Sequence, residues 1–222
     1  MTMTMERQPD FAAMRTAMVA SQLRTNAVSD ARVIAAMASV PRERFVRTDM
    51  APFAYRDSLV SLGGGRSLNL PIATGRLLTE ARLLPSDRVL LIGAATGYTA
   101  AVLAELVATV IAVESDHALV AIARDALGAD DRITIIEGPL EAGHPEGAPY
   151  DLIVIDGAVE RVPDALVSQI RPGGRVVAGL VDRGVTRLAA GRRSEGGFAM
   201  MDFADVDCCL LPGFATPARF TF

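Results

Sequence analysis

The sequence predicts a doubly wound α/β fold: a mostly parallel sheet, an antiparallel C-terminal hairpin and a group of N-terminal helices. Three observations carry this. From Arg88 onward, short apolar runs rich in β-branched residues recur as RVLLIG, TVIAVES, RITIIEG, YDLIVIDGA and GGRVVAG. The helical stretches TAAVLAEL, DHALVAIARDAL and VPDALVSQI separate most of them, and that alternation is the signature of a parallel sheet covered by helices. The runs are continuously apolar, as strands buried on both faces are.

The elements follow in order. FAAMRTAMVASQLR has helical periodicity, and SDARVIAAMASV is a second helix with Ser29 and Asp30 as plausible caps. PRERFV starts a short helix with Pro41 in its first turn. LVSLGGGRSLNLP reads as an irregular Gly-rich segment, and PIATGRLLTEARLL leads helically into the first strand of the sheet. TRLAAGRRSEGGFAMMDFADVDCCLL reads as strand, turn, strand along one edge, and PGFATPARFTF as a further short edge strand. The expected organisation is one domain over 1–222, with helices and a loop region in 1–84 and the sheet in 85–222. With 222 residues, 50% of them hydrophobic, the chain can bury a sizeable core.

Composition removes several function classes. Net charge is −4 and no basic stripe is visible, so nucleic acid is not expected as a partner. All basic residues are Arg. Without Lys there is neither a pyridoxal-phosphate Schiff base nor a Walker-type phosphate loop. The only histidines, His117 and His144, are too few for His-based triads or His-rich metal sites. Cys208 and Cys209 are adjacent with no His nearby, so neither a disulfide framework nor a zinc site follows, and no metal is expected. MTMTMERQPDF carries an acid and lacks an apolar segment, unlike a secretory signal. The apolar stretch from Val89 to Val113 is broken by Gly93, Gly97 and Glu105, which argues against a membrane span. A cytoplasmic location is expected.

In such sheets ligands bind beyond the carboxyl ends of the strands. Gly93–Tyr98, Glu114, Glu137–Leu140 and Asp156–Ala158 all fall at expected strand ends. The turn GAATGY joins a strand to a helix. About 20 residues later, Glu114 ends the second strand, where a carboxylate can accept both hydroxyls of a ribose. Turn and acid together suggest an adenosine-containing cofactor, and at this level both NAD and S-adenosylmethionine fit. RPGGRVV, a Pro-Gly-Gly turn followed by a strand and a hairpin, looks like the class I methyltransferase pattern.

Taken in order, VPRERFV, AYRDSLVSLGGGRSLNLP, RVLLIGAATGYTAAVLAEL, IAVES, APYDLIVIDGA, VPDALVSQIRPGGRVV and VDCCLLPG resemble the protein-L-isoaspartate O-methyltransferase family over nearly the whole chain. The resemblance implies a Rossmann-like methyltransferase sheet and S-adenosylmethionine as cofactor. It implies methylation of the isoaspartyl carboxylate of damaged proteins, whose ester then collapses to succinimide as a repair step. It implies Gly93, Ala95, Thr96, Gly97, Tyr98, Glu114, Ser115, Glu137 and Gly138 as cofactor-binding residues. Ser67 and Asn69 would be the catalytic pair, Gly65, Leu68 and Pro71 would bind substrate, and the chain would act as a monomer. Carboxylates are ionised at neutral pH, so this chemistry needs alignment and exclusion of water more than a general base.

The sequence departs from the family at the site itself. The family's cofactor turn usually reads E-I-G-x-G-x-G, whereas here Leu91 stands at the acid and Ala95 at the middle glycine. Ser67-Leu68-Asn69-Leu70-Pro71 stands where the family reads T-I-S-x-P, and Glu137-Gly138-Pro139 where it tends to have Gly-Asp-Gly. The expected cofactor affinity is therefore weak. Two other readings stay open at this level: a non-catalytic relative that binds a protein or peptide, and a Rossmann-type binder or oxidoreductase for another nucleotide.

Overall fold

The first helices form around apolar stripes that cannot stay in water. The computed structural model describes residues 9–215. Helix α1, Phe11–Met18, is capped by the Asp10 carboxylate, which accepts from the Ala13 N–H. It continues through a π-helical turn, Val19–Leu23, and a 3-10 turn, Arg24–Asn26, which ends at Ala27 in the left-handed region. Helix α2, Ala31–Ser39, is capped by Asp30 alone and buries Val33, Ile34, Ala36 and Met37. Arg42–Phe45 is a 3-10 helix with Pro41 at its cap position, one residue earlier than expected.

The Gly-rich segment differs from its expected irregular form. Val60–Gly63 (β1) and Arg66–Leu68 (β2) pair antiparallel as a small hairpin. Glycine is disfavoured in strands, so the residues did not advertise it. The turn needs them all the same, since Gly63, Gly64 and Gly65 all adopt positive φ. Helix α3, Pro71–Glu80, follows with Pro71 at its first turn.

Strands β3 (Arg88–Ile92), β4 (Thr109–Glu114), β5 (Ile133–Glu137), β6 (Tyr150–Val159), β7 (Ile170–Asp182), β8 (Val185–Ser194) and β9 (Gly197–Ala204) make one sheet in the order β5-β4-β3-β6-β7-β8-β9. The first five are parallel, and β8 and β9 close one edge antiparallel. Helices α4 (Tyr98–Ala104), α5 (His117–Leu127) and the single turn α6 (Asp164–Val167) lie between the parallel strands. The third is shorter than VPDALVSQI suggested, because the chain re-enters the sheet at Ile170.

The doubly wound character shows in β3. Val89 and Leu91 belong to the apolar cluster that includes α2, α3 and α4, while Leu90 and Ile92 belong to the cluster on the other face. Successive side chains of a strand point to opposite faces, so burial on both sides demands an unbroken apolar run. Leu91 is fully buried in the first cluster with Ala94, Ala95 and Tyr98. An apolar side chain there is core packing.

Three further differences concern strand ends. Asp156–Ala158 lies inside β6, at a break in its pairing with β7 between Val154 and Ala158. The Arg171–Gly174 turn is a second irregularity, inside β7. Leu210, ahead of the expected edge strand, makes an isolated parallel bridge to Ala158, and the described part of that stretch, 212–215, has no strand. The last residues of the expected edge strand, 216–222, and the first eight residues of MTMTMERQPDF lie outside the described residues. Among the described residues, no helix is long and apolar enough to cross a membrane.

Candidate active site

The turn after β3 is set by backbone geometry. Gly93 and Gly97 have φ of 81° and 97°, and Ala95 between them has φ 50°. An L-residue in that region costs about 1–2 kcal/mol, so Ala95 is held there by its surroundings. Its N–H donates to Glu114 Oε2 at 2.7 Å. The Gly93 and Ala94 N–H groups both donate to the Val113 carbonyl, which ties the turn to the end of β4.

Both glycines are also required by close packing. A Cβ on Gly93 would stand 2.9 Å from Leu211 Cδ2, and one on Gly97 would stand 2.9 Å from Leu127 Cδ1. Leu211 therefore lies directly against the turn. The whole turn, with Thr96 and Tyr98, is buried. The Thr96 hydroxyl donates to the Phe45 carbonyl at 2.5 Å.

Glu114 ends β4, is fully buried, and gathers six donors. Oε1 accepts from Arg66 Nη1 (2.5 Å), Ser115 N (2.8 Å), Asp116 N (3.1 Å) and the Ser115 hydroxyl (3.4 Å). Oε2 accepts from Arg66 Nη2 (2.9 Å) and Ala95 N (2.7 Å). Arg66 was not singled out by the sequence. A lone Arg after three glycines reads as a solvated loop residue, and its partner lies 48 positions away.

A second cluster centres on Asp156. Oδ1 accepts from Asn69 Nδ2 and from the Thr74 hydroxyl, both at 3.1 Å, and Oδ2 accepts from the Thr99 hydroxyl at 2.5 Å. The Asn69 side-chain oxygen accepts from Leu70 N (3.1 Å) and Cys209 N (3.3 Å). Asn69 is thus brought within one shared partner of Thr99, the second residue of α4. Ser67 lies on β2, paired with Ser61. Leu68 and Pro71 are buried beside it, whereas Gly65 sits exposed in the hairpin turn.

The loop thus reaches β4 through Arg66 and β6 through Asn69, so it straddles β3. Its third tie is Arg42, which the sequence offered only as part of VPRERFV. Arg42 is fully buried. Its Nε donates to Ala54 O at 2.7 Å, its Nη2 donates to Asn69 O, and its guanidinium stacks 4.6 Å from the Tyr98 ring centroid. Burial pushes the Arg42 pKa down and the Tyr98 pKa up.

Glu137 stands beside Glu114 in the β4–β5 register, but it is exposed and its carboxylate meets His117 Nδ1 at 2.9 Å on the rim. Ser115 lines a cleft of about 430 Å³ with Gly64, Gly65, Arg66, Asp116 and Leu211. Gly138 donates its N–H to the Glu114 carbonyl. Of the expected residues, the structure brings together Gly93, Ala95, Thr96, Gly97, Tyr98, Glu114, Ser115 and Asn69, and leaves Glu137 at the margin.

The two cysteines close the back of the site. Both are buried, and the Cys209 Sγ–H donates to Asp156 O at 3.5 Å. Desolvation raises both thiols, Cys209 to about 12. A raised thiol pKa leaves almost no thiolate at pH 8. Iodoacetamide should therefore leave both unlabelled in the native protein and label both in denaturant, as read by intact mass. Rapid native labelling would mean that the 205–211 segment does not stay on the sheet.

The comparisons with known proteins agree with this architecture. A family model described as Protein-L-isoaspartate(D-aspartate) O-methyltransferase (PCMT) matches residues 14–208. A protein-L-isoaspartate O-methyltransferase of Methylorubrum extorquens (strain PA1) is 39% identical over 216 residues, covering 95% of this chain and 94% of its own. One from Methanoculleus marisnigri is 34% identical over 89% of this chain and 90% of its own. Among solved structures, a protein-L-isoaspartate O-methyltransferase superposes over 90% of this chain with a TM-score of 0.76 at 23% identity, and this chain spans 66% of that longer one. A Plasmodium falciparum structure, titled a putative member in complex with S-adenosyl-L-homocysteine, superposes with a TM-score of 0.75 at 17% identity, over 90% of this chain and 97% of its own.

Proposed function

This chain belongs to the protein-L-isoaspartate O-methyltransferase family, and we propose that it methylates the isoaspartyl carboxylate of damaged proteins with S-adenosylmethionine. The observation that carries the reading is the convergence of a ribose-type acid, Glu114, with a strand-to-helix turn of positive-φ residues, under a loop that ends in Asn69.

The donor set suits the cofactor. Glu114 lies at the carboxyl end of β4, where a carboxylate holds a ribose diol, and Ser115 and Gly138 border it. The backbone from Gly93 to Tyr98 would hold the methionine part, and Glu137 stands at the rim. When bound, the cofactor supplies an electrophilic sulfonium methyl group.

The chain's own residues have little proton chemistry to perform. The acceptor carboxylate is ionised at neutral pH and is itself the nucleophile. Ser67 and Asn69 orient it, while Gly65, Leu68 and Pro71 shape the loop that receives the peptide. Asp156 and Arg42 hold Asn69 from its side chain and its carbonyl. Leu211 and the β1–β2 hairpin cover the turn and keep water out. We further propose that the chain works as a cytoplasmic monomer, as one domain.

The test is transfer of labelled methyl groups from S-adenosylmethionine to an isoaspartyl peptide. Base-labile incorporation is expected in the isoaspartyl peptide and not in its aspartyl counterpart. Incorporation no greater than in a protein-free control would sink this reading.

A further inference from the structure

A carboxylate has about four lone-pair sites, and Glu114 already meets six donors. It is fully buried, and the Arg66 side chain against it is almost so. A ribose diol cannot add to this carboxylate. It must replace two of the donors.

Of the six, the Ser115 hydroxyl is the longest at 3.4 Å and three are backbone N–H groups. Ala95 is fixed by the turn, and Ser115 and Asp116 lead into α5, whose cap is the Asp116 side chain itself. They cannot leave without unmaking the sheet end. Arg66 can. It sits on a two-stranded hairpin whose turn is three consecutive glycines, and it borders the 430 Å³ cleft. A second carboxylate waits on the same lip: Asp116 Oδ2 lies 3.4 Å from where a Cβ on Gly64 would stand. Arg66 and Asp116 line the same cleft, so an Arg66 that leaves Glu114 has a second acid beside it.

From this juxtaposition we infer that Arg66 is a built-in competitor for the cofactor's ribose site, so that the cofactor binds only the form in which the β1–β2 hairpin has released Glu114. The inference rests on the methyltransferase reading of Glu114. It predicts weak cofactor binding from occupancy of the acid, independently of Leu91 and Ala95. A ligand that binds only a minor form has its affinity reduced by the fraction of that form. Removing the competitor returns that factor.

The test is calorimetric titration of S-adenosylhomocysteine into the wild-type protein, Arg66→Gln and Glu114→Ala. Glutamine is too short to fork onto both oxygens, and Glu114 keeps its three backbone donors, so the variant retains a satisfied acid. Arg66→Gln is expected to bind at least about tenfold more tightly than wild type, and Glu114→Ala not at all. Equal or weaker binding by Arg66→Gln, with wild-type binding still lost in Glu114→Ala, overturns the competitor and leaves the methyltransferase reading standing. No binding by wild type or Arg66→Gln overturns both. Should Arg66→Gln fold poorly, hydrogen exchange on the wild-type protein decides. Saturating S-adenosylhomocysteine should speed exchange across 60–68 while slowing it at 93–98, and slower exchange at 60–68 overturns the inference.

Discussion

Glu114→Ala is expected to lower stability by about 3–5 kcal/mol, the cost typical of removing one partner from a buried ion pair. The loss has two parts. The Arg66 guanidinium is left in a nearly closed pocket without its counter-charge. The N–H groups of Ala95, Ser115 and Asp116 lose their acceptor, and each buried unsatisfied donor costs about 1–3 kcal/mol. For a chain of this size, the midpoint of thermal unfolding should fall by roughly 6–20 °C. Urea denaturation gives the free energy directly. Glu114→Gln should cost less, because the amide oxygen still accepts from one side of the cluster. A loss below about 1 kcal/mol in Glu114→Ala would show that the carboxylate does not organise this end of the sheet. A double-mutant cycle with Arg66→Gln isolates the pair itself.

Asp156→Ala is expected to be the other severe change, at about 3–5 kcal/mol on the same grounds. The side chain receives Asn69, Thr74 and Thr99 from three separate elements, so it fastens the loop, α3 and α4 to β6. It is also a negative charge that fully buried Arg42 feels, alongside the Tyr98 ring. Without it, three side-chain donors and one buried cation lose their common partner. Asp156→Asn separates charge from shape. The hydroxyls of Thr74 and Thr99 can turn to donate or accept, so the amide should cost only about 1–2 kcal/mol. Activity follows the same order. Both variants should raise the KM for an isoaspartyl peptide, because Asn69 loses its anchor or has it weakened, with Ala the worse of the two. An Asp156→Ala protein with wild-type stability and KM would show that the Asn69 loop is positioned by Arg42 and Cys209 alone.

The two changes illustrate what kinds of information a linear chain carries. Strands β3, β4 and β5 were legible to within about a residue, because each is a short run rich in β-branched residues, made continuously apolar in β3 by burial on both faces. The cap at Asp30 was local for the same reason that α2 was: a carboxylate two residues ahead of its N–H partner needs no distant neighbour. Glu114 could be placed because its position follows from the strand end and the spacing to the turn. Ala95 has φ 50° at the position where the family's turn has its middle glycine.

The β1–β2 hairpin, the break in the pairing of β6 around Asp156 and the roles of Arg42, Arg66, Thr74 and Thr99 became visible only in three dimensions. Val60–Leu68 is short and glycine-rich, and its pairing is set by what it covers. An arginine in a loop is usually solvated, and nothing within reach of Arg66 along the chain announces the acid it meets 48 residues later. Burial of a charge is a property of a pair, and a pair across the fold has no periodicity to read. By itself the sequence determined the doubly wound sheet, the family to which the chain belongs and the ends of β3, β4 and β5, because apolar periodicity and turn chemistry act over a few residues. The tertiary structure alone decided what occupies those strand ends now, because charge neutralisation and hydrogen-bond saturation depend on groups that only folding brings together.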